Sequence, residues 1–149
     1  MDLGLTEIQQ MLRNSAREFL SQECPLTLVR ELEDSSEGYS DKLWSQLVNL
    51  GWTGLVFPEE YGGTGGCFID LTILLEEMGR SLLPSPFFST VILGGMTILE
   101  CGSESQKNDI LPGVCNGNIK LALGVVESEA SYEARAIHTT AKMSSGSFV

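Results

Sequence analysis

The stretch Gly51-Trp52-Thr53-Gly54-Leu55-Val56-Phe57-Pro58-Glu59-Glu60-Tyr61-Gly62-Gly63-Thr64-Gly65-Gly66 decides how the chain folds. Glycines bracket a short apolar run, Leu55-Val56-Phe57, which stops at a proline. Glycine takes positive φ without a Cβ clash, so such a loop can turn sharply where other residues would be strained. Two of its aromatic residues, Trp52 and Phe57, are expected to anchor the loop against the helices that follow and precede it.

Helical patterns lie on both sides of the loop. On its N-terminal side Leu5, Ile8, Leu12, Ala16 and Phe19 recur at steps of three and four, which gathers them on one helical face. Thr6 with Gln9 fits a capping box, and Pro25 marks the end. The acidic run from Glu31 to Glu37 has no apolar period and reads as a short helix end or a loop over the surface. A second helix starts at Ser40, carries Leu43, Trp44, Leu47 and Leu50 inward and stops at Gly51. Beyond the loop, Leu71, Leu74, Leu75, Met78 and Leu82 form the apolar face of a third helix, with Glu76 and Glu77 read as solvated and Glu76 paired to Arg80. Ser85-Pro86 opens a fourth helix to about Cys101, whose broad apolar circumference, including Phe87 and Val91, suits burial or the lining of an apolar pocket. Ser103 with Gln106 caps a fifth helix, closed by Pro112, Gly113 and Gly117.

At Asn118 the period changes from helical to two. Ile119, Leu121, Leu123 and Val125 alternate with smaller or polar residues, as in a half-buried strand. A second strand is expected from Ile137 to Ala141, with the lone His138 on its surface, then a turn at Ser144-Ser145-Gly146-Ser147 and a third strand opening at Phe148. The fold class is therefore mainly α: a helical domain over residues 1–117, then a short, incomplete β segment over 118–149.

Composition excludes several classes of function. The 149 residues hold 20 acidic against 9 basic side chains, a formal net charge of −11, which repels nucleic acid. The uncharged stretch from Ser81 to Leu99 is too interrupted to cross a membrane. The N-terminus lacks a secretory pattern, so a cytoplasmic protein is expected. Cys24, Cys67, Cys101 and Cys115 are widely spaced, without metal-ligand grouping, and read as buried free thiols.

The glycine loop, then Glu76-Glu77-Met78-Gly79-Arg80, then Gly102-Ser103-Glu104-Ser105-Gln106-Lys107 and Leu111-Pro112 come in the order shown by the acyl-CoA dehydrogenase family, which residues 5 to 117 resemble. The resemblance implies an N-terminal helical domain followed by the first strands of a middle β domain, a truncated portion of the family. It also implies FAD as cofactor and an acyl-CoA thioester as substrate, oxidised at its Cα–Cβ bond: a glutamate removes the α proton and the β hydride goes to flavin. That glutamate belongs to a C-terminal bundle, so no catalytic residue is assigned here. The family's flavin strand typically reads T-E-P-x-x-G-S-D and corresponds to Val126-Glu127-Ser128-Glu129-Ala130-Ser131-Tyr132-Glu133, where only the glutamate matches. By resemblance, Val126, Glu127 and Ser128 are the cofactor-binding positions. Ser131 and Tyr132, with Phe87 and Val91 of the fourth helix, are the substrate-binding ones, and the Gly62 to Gly66 region helps enclose the acyl chain.

Two functional readings follow. One is the N-terminal portion of an FAD-dependent acyl-CoA dehydrogenase, inactive as this fragment. The other is a non-catalytic structural or interaction subunit with a degenerate flavin site. In either, a homo-oligomer or a mixed oligomer with related subunits is expected.

Overall fold

The computed structural model describes residues 4–127 and 137–148, the last two by their backbone. Helix α1 spans Glu7–Glu23 and is opened by Thr6 and Gln9, each side chain bonding the other's amide. Helix α4, Phe68–Arg80, lies beside it and runs parallel. Gln9 donates to Asp70 near both helix starts, and Arg17 donates to Glu77 in the second half of each. Helix α3, Asp41–Asn49, is capped by Ser40. Helix α6, Glu104–Cys115, carries a second reciprocal box between Ser103 and Gln106. These elements bury Leu20, Leu47, Phe57, Leu71, Leu74, Val91, Leu111 and Val114 in one core. Each such side chain contributes roughly 1.5–3 kcal/mol relative to exposure.

The glycine loop folds as two short 3-10 turns, Trp52–Gly54 and Glu59–Tyr61. Gly51 ends α3 with φ +74°, a left-handed conformation that costs a side-chain-bearing residue energy. The far limb then returns over the near one, with amides of Thr64, Gly65 and Gly66 donating to carbonyls of Gly54, Phe57 and Leu55. That return leaves no room at Gly63, where a Cβ would lie 2.0 Å from the Phe57 carbonyl oxygen. Trp52 and Phe57 are both buried. Trp52 meets Phe19 of α1 edge-on, with ring centroids 5.4 Å apart, and the Phe57 ring abuts Gly95. The loop is thus anchored partly on elements beyond the two helices it joins.

Several expectations need correction. Residues Leu26–Glu33 form a further helix, α2, whose start the sequence reading did not place, and the acidic run 31–37 supplies its last turn and the surface turn after it. In α1, Ile8 is 79 % exposed, and the apolar stripe meets the core only from Leu12 onward. The expected fourth helix begins as a π-helix, Phe88–Gly95, and continues directly into helix α5, Met96–Cys101. Cys67 and Cys101 are exposed; only Cys24 and Cys115 are buried.

The β expectations are met only in part. Residues 118–127 and 137–142 lack regular secondary structure. Ile119 and Leu121 pack against the helical core, while Leu123 and Val125 are exposed. Alternation is real here, but among the described residues no strand lies alongside to complete a ladder. The turn falls where expected, with Ser145 and Gly146 both at positive φ. It joins strand β1, Met143–Ser144, to an antiparallel β2, Ser147–Phe148. Two successive positive φ values match the twist of a tight hairpin.

Candidate functional site

A cavity of about 270 Å³ opens between the end of α4 and the start of the π-helix. Leu75, Met78, Leu83, Phe87 and Phe88 supply apolar walls, and Ser85 adds a polar side chain. Its size lies near the lower end of small-molecule sites, about 300 Å³ upward. Phe87 is almost wholly buried, whereas Phe88, at 53 % exposed, stands at the lip. Leu82 also lines it, and adopts φ +51° although it is not glycine. The amides of Leu82 and Leu83 return to carbonyls of Gly79 and Met78, closing α4 around this strained residue.

Val91 is fully buried in the core and does not line this cavity. Gly62 and Thr64 line a separate cavity of about 450 Å³, bounded by Glu60, Tyr61, Pro112 and Cys115. The glycine loop and the pocket-lining helix thus face different spaces. Burial pushes the Cys115 thiol up to about 11, which keeps it protonated and unreactive at neutral pH.

The segment carrying Val126 and Glu127 leaves the helices over a fixed start. The Ile119 amide donates to Gly113, the Trp44 indole donates to the Gly117 carbonyl, and Lys120 stands over the rings of Tyr39 and Trp44, 3.8 Å from Asp41. Val126 is exposed. Glu127 accepts from the Thr139 hydroxyl, the His138 amide (3.0 Å) and the Thr139 amide (2.8 Å). The Thr139 hydroxyl, followed by the two amides, holds its carboxyl below the usual range. His138 itself is exposed but in irregular chain, not a strand. Ser128, Ser131 and Tyr132 lie outside the described residues.

Sequence reasoning missed the role of Glu77. Glu76 is exposed as expected, but Glu77 is fully buried. Arg17 grips it with two bonds of 2.6 and 3.0 Å, and Arg80 approaches to 3.7 Å. Those bonds from Arg17 hold the carboxyl below its ordinary value despite the opposing cost of burial. A signal existed: position 77 falls three residues after Leu74 and six after Leu71, on the buried stripe.

A family model for the N-terminal domain of acyl-CoA dehydrogenases matches residues 6–118. The chain belongs to the acyl-CoA dehydrogenase family. Among relatives of this acyl-CoA dehydrogenase-family chain is the acryloyl-CoA reductase (NADH) of Anaerotignum propionicum, 30 % identical over 97 % of the chain and 36 % of the relative. Butyryl-CoA dehydrogenase from Megasphaera elsdenii superposes with a TM-score of 0.78 at 30 % identity, covering 99 % of this chain and 40 % of that one. A ChsE4–ChsE5 complex from Mycobacterium tuberculosis superposes at 0.79 and 28 % identity, covering 100 % and 38 %. The chain thus spans little more than a third of the length of the proteins it matches. Among the described residues no helix is long and apolar enough to cross a membrane.

Proposed function

We propose that residues 1–117 form the helical domain, and 118–149 the opening of the β domain, of a protein that dehydrogenates an acyl-CoA thioester at Cα–Cβ with FAD. The observation that carries the reading is the apolar cavity walled by Phe87, Leu83 and Met78, on a chain that belongs to this family. Here Phe87 encloses the acyl chain and Val91 backs that wall from the core, excluding water. Val126, Glu127 and Ser128 bear the flavin-facing main chain, and Ser131 and Tyr132 the CoA-facing side chains. Bound FAD would supply the oxidant for the hydride. The base is assigned to none of these residues, and the chain alone is expected to be inactive.

The donor set fits a flavin in part. Val126 offers main-chain groups but no hydroxyl, and the Glu127 carboxylate is already engaged by residues 138 and 139. This favours, as a second reading, a non-catalytic subunit with a degenerate flavin site in a mixed oligomer; the ChsE4–ChsE5 relative is itself a complex. Titration with octanoyl-CoA and with FAD separately tests both readings. The first expects the thioester to shift resonances of Phe87 and Leu83. The second expects no such shift. Both expect a colourless chain, and stoichiometric yellow flavin retained through gel filtration would overturn that expectation.

A further inference from the structure

The cavity wall and the segment leading to Val126 are joined through one side chain. Thr90 is fully buried in the π-helix. Its hydroxyl oxygen accepts from the Leu121 amide at 3.2 Å, and its proton is directed to the Leu121 carbonyl at 3.5 Å. A hydroxyl carries one donor and two acceptor positions, so Thr90 can serve both main-chain groups of Leu121. In a sheet a neighbouring strand does this.

A buried helical threonine more often bonds back to a carbonyl of its own helix. Thr97 does so, donating to Leu93 at 2.6 Å. Thr90 instead reaches 31 residues along the chain. The contact around it is closed: a Cβ at Gly94 would lie 2.3 Å from Leu121 Cβ. Phe87, three residues before Thr90, lines the cavity; Val126 lies five residues after Leu121.

We propose that Thr90 is a positioning residue that splices the 121–127 segment onto the cavity wall, fixing the register between an acyl group held beside Phe87 and a flavin ring held at Val126. The functional consequence rests on the acyl-CoA reading, but the splice can be tested without it. Amide hydrogen exchange in the full chain compares Thr90→Val, Thr90→Ser and Gly94→Ala. The valine variant keeps the shape and loses the hydroxyl, so the Leu121 amide should exchange about tenfold faster, the scale of one hydrogen bond. Amides of α4 and the Trp44 indole N–H should keep their wild-type rates. Thr90→Ser should restore protection, which separates hydroxyl bonding from general packing. Gly94→Ala should expose the same amide by displacing Leu121, and it decides the matter if Thr90→Val does not fold. Wild-type rates at Leu121 in both Thr90→Val and Gly94→Ala, or a serine variant as fast as the valine one, would overturn the proposal. A chain that binds neither FAD nor octanoyl-CoA would sink the functional reading while leaving this exchange result intact.

Discussion

A buried carboxylate is tolerated only when its charge is met, and Glu77 is met by two guanidinium bonds from Arg17. Its pKa is lowered on folding, so the stabilisation is fully present above the unfolded value of about 4.5 and is lost as pH falls through the lower folded value. Acid titration followed by circular dichroism should therefore show wild type losing stability below that range. Glu77→Ala should lose about 1–3 kcal/mol at neutral pH and show a flatter acid limb. Equal acid sensitivity in both proteins would remove Glu77 from the explanation. Gly63 makes a second demand at single-residue scale. Gly63→Ala forces a Cβ against the Phe57 and Gly54 carbonyls and should cost about 3 kcal/mol or more. Gly51→Ala meets open space, and should cost only the left-handed penalty of about 1–2 kcal/mol. Equal melting temperatures for the two variants would contradict this ranking.

Among the elements, α1 and α3 were legible because cap and apolar stripe agree, α4 from its stripe and α6 from its cap: Thr6 with Gln9, Ser40, and Ser103 with Gln106 all cap where their spacing places them. Helix α2 was legible only at its acidic end, since it is eight residues long with no capping side chain and only Leu28 and Val29 pack on the core. The π-helix was hidden because apolar periodicity does not distinguish a wide turn from an ordinary one within eight residues. At the site, Phe87 could be read as a pocket residue from its apolar surroundings. Thr90 could not, because its partner lies 31 residues away and no local pattern announces it. The end of α4 offers a test at this scale. Leu82 is 61 % exposed and held at φ +51°, so it carries backbone strain in return for little burial. Leu82→Gly should relieve it and stabilise by up to about 1 kcal/mol, whereas Leu82→Ala keeps the Cβ and should not. Thermal melts of the two variants should separate in that order, and a glycine variant melting below the alanine one would remove the strain argument.

For the whole molecule, charge and exposed apolar surface pull against each other. Leu123, Val125, Val126, Ile137 and Met143 are all exposed on chain outside the helices, and the β1–β2 hairpin is too small to be stable alone. A second copy can cover these side chains and add hydrogen bonds to the hairpin edges. The net charge of −11 resists unlimited growth, so a closed dimer is expected rather than a fibre. Salt should strengthen this association, because ions shorten the reach of the repulsion to about 8 Å at physiological strength. Static light scattering across a concentration series should show mass rising from monomer to dimer, at lower concentration when salt is added. Val125→Lys, which places a charge in the exposed stripe without touching the helical core, should shift the equilibrium back to monomer. A monomer mass at every concentration and salt level, with wild type and Val125→Lys alike, would show that the exposed segment does not pair copies of this chain.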